Sequence, residues 1–408
     1  MRTLYRLASA LALIACSDAA SNPVNSKAAD AGGEAATSVP AETSLRAVAP
    51  QDLSIAFPLP PRIEDQGALL AATDVAAGGE LLDPAAFNQV GALNMNSEGP
   101  AGKTGEAARP GLRLLALRLD PCFGPLDGSA CTPQLRLVFQ GLSVTPEGGV
   151  QADDGAVHVF VKLDDAELLR TVKQVLALKE AAGGYPDAPL GVHPILAKQG
   201  LGGAFAQGLR SIVLEHAGAA RTVRVTFFKL LNAGVSTWSF GILENQGGSY
   251  RLATIATIAR PGQSVSNALA FGGDLSATVD PATSHADNLT LLLDTNKAKS
   301  AAPALQQAAF DAALRIENPL RHTPDTIDCV SCHTAMAAAR SAEAKLGLSR
   351  EGNANRFVAP VPVAPTMPAT VSLNNLHAFS YLGTQLGVSQ RTANETALAV
   401  EKVNAKLR

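Results

Sequence analysis

From residue 111 to about 260 the hydrophobic positions recur mostly with period two. Leu135, Leu137 and Phe139 alternate with Arg136 and Val138, and Val157, Val159 and Val161 alternate with His158, Phe160 and Lys162. Successive side chains on an extended chain point to opposite faces, so this spacing predicts strands with one buried face. Further on, Val223, Val225 and Phe227 alternate with Arg224 and Thr226, while Trp238, Phe240 and Ile242 share a face. Asn232-Ala233-Gly234 lies between the two runs, and the pair reads as a hairpin.

Helical spacing interrupts the alternation. Leu168, Leu169, Val172, Val175 and Leu176 mark a helix over 164–182, with Asp164 as its N-cap and Gly183-Gly184 as its stop. A second helix is expected over 204–217, ending at Gly218, and two more over 287–297 and 303–316, where Pro303 suits a first turn. The Asn318-Pro319 punctuation marks a boundary. The pattern predicts an α+β fold: a mixed sheet-and-helix body over 49–300, then a small, mostly α-helical domain over 301–408.

The 408 residues include 33 Lys+Arg against 36 Asp+Glu, a net charge of -3 that lacks the basic excess of a nucleic-acid binder. No apolar run reaches the roughly 20 residues of a spanning helix. The N-terminus has its own pattern. Arg2 and Arg6 flank the start of an apolar stretch, Leu7 to Ala15, which closes in Leu13-Ile14-Ala15-Cys16. This resembles the lipobox of bacterial lipoproteins. The resemblance implies a signal peptide over 1–16, cleavage before Cys16 and lipid on that cysteine. It places the chain outside the cytoplasm, anchored at the periplasmic face of the outer membrane or at the cell surface. Residues 17–48 are rich in Ala, Ser, Asp, Asn and Pro, and their composition predicts a flexible tether.

Export changes how the cysteines are read. Cys122 and Cys131 bracket a turn-rich loop between two strand-like runs, and in an oxidising compartment a disulfide there contributes ~2–3 kcal/mol. Two free thiols are the alternative. Cys329 and Cys332 belong to Cys329-Val330-Ser331-Cys332-His333, the attachment signature of c-type haem. On a helix, residues three and four apart share a face, so two sulfurs reach the vinyl groups of one porphyrin while the imidazole turns to its iron. Local sequence agrees: Asp328 suits an N-cap, 329–346 holds no Pro or Gly, and Gly347 ends the run. A plain disulfide and another metal are the rival uses. Zinc normally takes a second ligand pair, and no second Cys pair lies nearby.

The segment 301–408 thus resembles a monohaem c-type cytochrome domain, and the resemblance is specific only in the pentapeptide. It implies one covalent haem c, thioether bonds from Cys329 and Cys332, and His333 as proximal iron ligand. No glycine-rich lead-in precedes Cys329, unlike the commonest small cytochromes. For the distal ligand the resemblance points to Met367, in Pro365-Thr366-Met367-Pro368; His377, His322 and an open position are the alternatives. A thioether ligand raises the potential, and a second imidazole lowers it. His158 lies on a polar strand face with no partner the sequence can supply.

The expected function is electron transfer by a lipid-anchored, exported haem protein, non-enzymatic and dependent on a redox partner protein. An enzymatic alternative, a haem oxidase or peroxidase, needs an open iron and a distal acid-base group. In a third reading the larger body binds a ligand or partner and the haem is secondary.

Overall fold

The alternating segments form strands that pair in chain order. In the computed structural model, which describes residues 47–90, 105–123, 132–232, 236–267, 274–359, 363 and 376–408, eight strands lie side by side. They are β1 (Ser54–Ala56), β2 (Leu112–Phe123), β3 (Thr132–Val144), β4 (Gly155–Lys162), β5 (Thr222–Asn232), β6 (Ser236–Gln246), β7 (Gly262–Asn267) and β8 (Ala277–Asp280). Every neighbouring pair is antiparallel. Val150–Ala152 adds to β3 and Ser249–Leu252 to β6, completing a ten-stranded sheet. The expected hairpin is β5–β6, with Leu230 opposite Trp238.

Helix ends follow their local chemistry. α1 (Asp165–Ala181) starts at a capping box, in which Glu167 N–H donates to Asp164 at 2.7 Å and Asp164 N–H donates to Glu167 at 2.9 Å. α2 (Ala204–His216) and α3 (Pro303–Ile316) lie where the periodicity puts them. The helix expected over 287–297 is instead a 3-10 turn, Thr290–Leu293, and a short helix, Thr295–Ser300. Asp294 divides them: its backbone is extended, and its carboxylate accepts from Asn296 N–H at 3.1 Å and Lys297 N–H at 3.0 Å, restarting the helix as a cap. No helix among the described residues is long and apolar enough to cross a membrane.

The sheet is α+β in class, as expected, but both of its faces are buried. Val157, Val159 and Val161 take one face of β4. On the other, Phe160 stands opposite Arg136 and Arg224, His158 opposite Thr226, and Phe228 opposite Phe240. Phe160, Phe228 and Phe240 are buried like the valines. Alternation assigned the second face to water because its residues include Arg136, His158 and Lys162; the C-terminal segment covers it.

That cover corrects the expected domain division. Residues 301–408 do not stand apart: Glu42–Arg408 forms one compact unit. α4 (Cys329–Leu346) packs on β6 and β7, and α5 (Gln390–Leu407) packs on β2. Between them lies a hairpin, β9 (Phe379–Leu382) and β10 (Gln385–Val388), within the segment expected to be mostly α-helical. Gly383, with φ 59, turns it. The hairpin is tied to the sheet by Gln140, whose amide donates to Tyr381 O and accepts from Tyr381 N–H, both at 2.8 Å.

α5 begins at a serine cap. Ser389 caps it, accepting from Thr392 N–H at 3.1 Å. Glu395 takes Arg391 at 2.7 Å and Arg118 at 2.9 Å.

Cys16 and the 1–46 segment lie outside the described residues, as do Cys131 and Met367. Cys122 is disulfide-bonded, and its pairing with Cys131 remains a proposal.

Glu317, at the end of α3, is buried, with one carboxylate oxygen unpartnered among the described residues and the other 3.4 Å from Arg350. Burial pushes its pKa up to about 7, against the pull of Arg350. A raised carboxyl binds its proton more tightly folded than unfolded, so its contribution is full below the ordinary carboxylate range and is lost as pH rises through about 7. Glu317→Gln is expected to remove a loss on the order of 2–3 kcal/mol between pH 5 and pH 8. Urea unfolding of both proteins at the two pH values checks this; identical pH dependence would contradict it.

Candidate functional site

α4 starts on a buried carboxylate. Asp328 accepts from Ser331 N–H and Ser331 Oγ, each at 2.9 Å, and from Gln263 Nε2 of β7 at 2.8 Å and Thr257 Oγ1 at 3.1 Å. Gln263 Oε1 in turn accepts from Val330 N–H at 2.9 Å. The first turn is thereby pinned to the sheet, and the helix runs unbroken to Gly347, whose φ of 69 stops it. Cys329, Cys332 and His333 sit in that anchored turn, on the side that faces β4–β6. All three line one cleft, with His158, Phe228 and Phe240 across it.

His333 is oriented by a backbone carbonyl. Its Nδ1 lies 2.6 Å from Leu376 O, and because a carbonyl only accepts, Nδ1 carries the proton and Nε2 keeps the lone pair. Burial lowers its pKa to about 4, so the ring is neutral at physiological pH. Its ring lies 4.9 Å from that of Phe240 and 5.7 Å from that of Phe228. A neutral imidazole with one nitrogen held by a carbonyl is the usual state of a metal-ligating histidine.

The cysteines are free thiols. Burial pushes both upward, Cys332 to about 11. At pH 7 roughly one Cys332 in ten thousand is a thiolate, which makes it a poor metal ligand or redox nucleophile as it stands. Cys329, Cys332 and His333 also fail to converge on a point: among the described residues, the group whose ligand atoms lie within 4.8 Å of one another is His285, Asp287 and His322. The donor set suits covalent attachment better than a single bare ion.

The residues fit a haem in chemistry more readily than in volume. The cleft measures about 120 Å³. A cavity of about 150 Å³ takes benzene. A porphyrin therefore requires the apolar lining, Phe228 and Phe240 among it, to part. Cationic groups are in place: Arg136, Arg224 and Arg391 line the cleft beside Glu395. Burial opposes ionisation of Glu395, yet Arg391, Arg118 and Arg136 hold its pKa down at about 2. Arg136, desolvated and beside Arg118, falls to about 10.

The expected distal ligands scatter. His377 is buried, its Nδ1 2.6 Å from Ser380 Oγ and its Nε2 3.0 Å from Asp154 Oδ1, so both nitrogens are engaged. His322 lies in the other cluster, with Nε2 2.8 Å from Asp287 and Nδ1 3.3 Å from Thr326. Asp287 also holds Arg315, which ties α3 to the loop before α4. Met336 is buried packing.

The structure adds His158, which the pattern along the chain left on a solvated face. Its Nε2 is buried and has no hydrogen-bond partner among the described residues. Burial, followed by Arg136 and His333, holds its pKa well below the usual value. A signal existed: Phe160, Phe228 and Phe240 share the face of His158, and three phenylalanines on one face imply a cover. Comparison of the chain with protein-family models, curated proteins and solved structures finds no match.

Proposed function

We propose that the chain is an exported, lipid-anchored electron-transfer protein bearing one covalent haem c on Cys329 and Cys332, with His333 as proximal iron ligand. The observation that carries this reading is the state of His333: neutral, its Nδ1 fixed by Leu376 O, and placed beside two half-buried thiols in one anchored helical turn. Cys329 and Cys332 would hold the group through thioether bonds, whose formation from a thiol and an alkene needs no oxidant, and His333 would offer Nε2 to its iron. A thioether has no proton to lose, and the ionisation cost that burial imposes on the free thiols disappears with it. The chemistry such a group supplies is the gain and loss of one electron.

The rest of the site orients and insulates. Arg391 holds Glu395 at the cleft, and Arg224 holds Asp325 and Glu244, so the charges of the lining are paired among themselves. Phe228 and Phe240 exclude water, which tunes the potential. Cys16 anchors the chain through lipid, 17–48 tethers it, and the sheet-bearing body presents the site to a redox partner protein. His322 and His377, the histidines an oxidase or peroxidase was expected to use, are both engaged elsewhere.

Full-length protein made with a c-type maturation system is expected to gain the mass of one haem and to keep its colour through acid extraction. A colourless product of unmodified mass from such cells would falsify this reading.

A further inference from the structure

The geometry points to a divalent metal site of the zinc class, built by His285, Asp287 and His322, that clips the segment after β8 to the loop between α3 and α4. The three residues offer donor atoms that all lie within 4.8 Å of one another. An ion at zinc's usual distance of roughly 2.0–2.2 Å from each donor holds tetrahedral ligands about 3.3–3.6 Å apart. His322 Nε2 and Asp287 Oδ2 are already 2.8 Å apart, so a small adjustment of the side chains closes the site on an ion. None of the three belongs to the Cys-x-x-Cys-His motif, and the inference stands whether or not a haem is attached there.

The hydrogen bonds around the cluster favour a metal over a plain ion pair. Thr326 Oγ1 donates to Thr323 O at 3.2 Å, so it accepts from His322 Nδ1 at 3.3 Å. With its proton on Nδ1, the neutral ring turns the bare lone pair of Nε2 towards a carboxylate oxygen. Two lone pairs at that separation repel, and a cation between them removes the repulsion. A second proton on the ring is the rival, but burial holds His322 below the ordinary imidazole range despite the pull of Asp287.

The surroundings match those of ligands. Metal-bound imidazoles usually donate their other N–H to an oxygen, and metal-bound carboxylates are themselves hydrogen-bonded. His322 does the first through Thr326. Asp287 does the second, since Arg315 Nε donates to Oδ1 at 2.7 Å and leaves Oδ2 for the ion. His285 is the adjustable member: its ring centroid lies 5.0 Å from that of His322, and its Nδ1 accepts from Asp287 N–H at 2.9 Å, a bond given up when the ring turns to ligate. Two imidazoles and one carboxylate suit zinc and its transition-metal neighbours, whereas magnesium and calcium prefer oxygen donors. His285 and Asp287 are half-buried and His322 is buried, so a water from the open side completes four ligands.

Calorimetric titration of the chelator-treated, full-length protein with zinc tests this, in the parent and in Cys329→Ser/Cys332→Ser, which keeps those thiols out of the result. Both are expected to take up zinc here, and cobalt(II) in its place should give tetrahedral visible bands without a sulfur charge-transfer band. His285→Ala should weaken zinc uptake by about 100-fold, the upper end of what even outer partners of a metal contribute. This variant leaves the Asp287 contacts with Arg315 and His322 in place. Zinc should raise the melting temperature of the parent and not that of His285→Ala. Where His285→Ala fails to fold, X-ray absorption at the zinc edge of the double cysteine variant decides: scattering from two imidazoles supports the site, and fewer overturns it. Failure of the double cysteine variant to bind zinc, or uptake unaltered in His285→Ala, overturns the assignment. Covalent haem attachment is read separately, by mass, and its failure leaves this site standing.

Discussion

Cys329→Ser/Cys332→Ser is expected to yield protein free of covalent porphyrin, whereas each single variant keeps one thioether and about the same mass gain as the parent. Sulfur is the only atom at either position that adds to a vinyl group, and serine differs from cysteine by that atom alone. The fold should survive, because Asp328, Ser331 and Gln263 hold the first turn of α4 without either thiol. Mass spectrometry of the intact chain gives the result directly. Retention of covalent haem by the double variant would place the attachment elsewhere. His333→Ala separates attachment from ligation: it should keep the added mass and change the spectrum.

The second large effect is on stability. Asp52→Asn is expected to destabilise the protein by about 3–5 kcal/mol, the usual cost of stranding one member of a buried ion pair. Lys179 Nζ lies 2.8 Å from Asp52 Oδ2, with 4% and 0% of the two side chains exposed. The carboxylate also accepts from Tyr185 OH at 2.8 Å and Ala49 N–H at 2.7 Å. Removing its charge leaves an ammonium in the interior without a counter-charge, held by the amide oxygen, by Ala47 O at 3.2 Å and by the face of the Tyr185 ring at 4.9 Å. In a chain of this size the melting temperature should fall by roughly 10 °C, at ~2–4 °C per kcal/mol. Asp52→Leu/Lys179→Met should recover much of the loss, since an apolar pair leaves no buried charge. Calorimetry of the three proteins measures this. A single variant that melts with the parent would show that the pair contributes nothing net.

The cysteines of the first effect meet the sheet face across one cleft, and the ion pair of the second joins the segment before β1 to α1; neither meeting is visible in the sequence. Legible features were those a few residues decide. The Asp164 cap needs only Glu167; Pro303 opens α3; Asp328 and Gly347 bound α4; and the β5–β6 hairpin follows from two alternating runs and a turn. The Cys329, Cys332 and His333 face of α4 was legible for the same reason. Asp294 defeated the helix over 287–297 because a cap chemistry inside the run outweighed its periodicity. The hairpin at 379–388 was missed because its short strands gain their order from Gln140, far away in sequence.

Sequence alone determined the local pieces: the helices, the strands, the direction in which each strand's side chains alternate, and the pentapeptide that presents two thiols and an imidazole together. Tertiary structure alone decided that the His158 face of the sheet is roofed by α4 and α5, that His322 and His377 are bound to other partners, and that 301–408 is part of the same unit as the sheet. The reason is the range over which each interaction acts. Capping and periodicity are settled within four residues, but whether a strand's second face meets water or another element depends on contacts between segments more than a hundred residues apart.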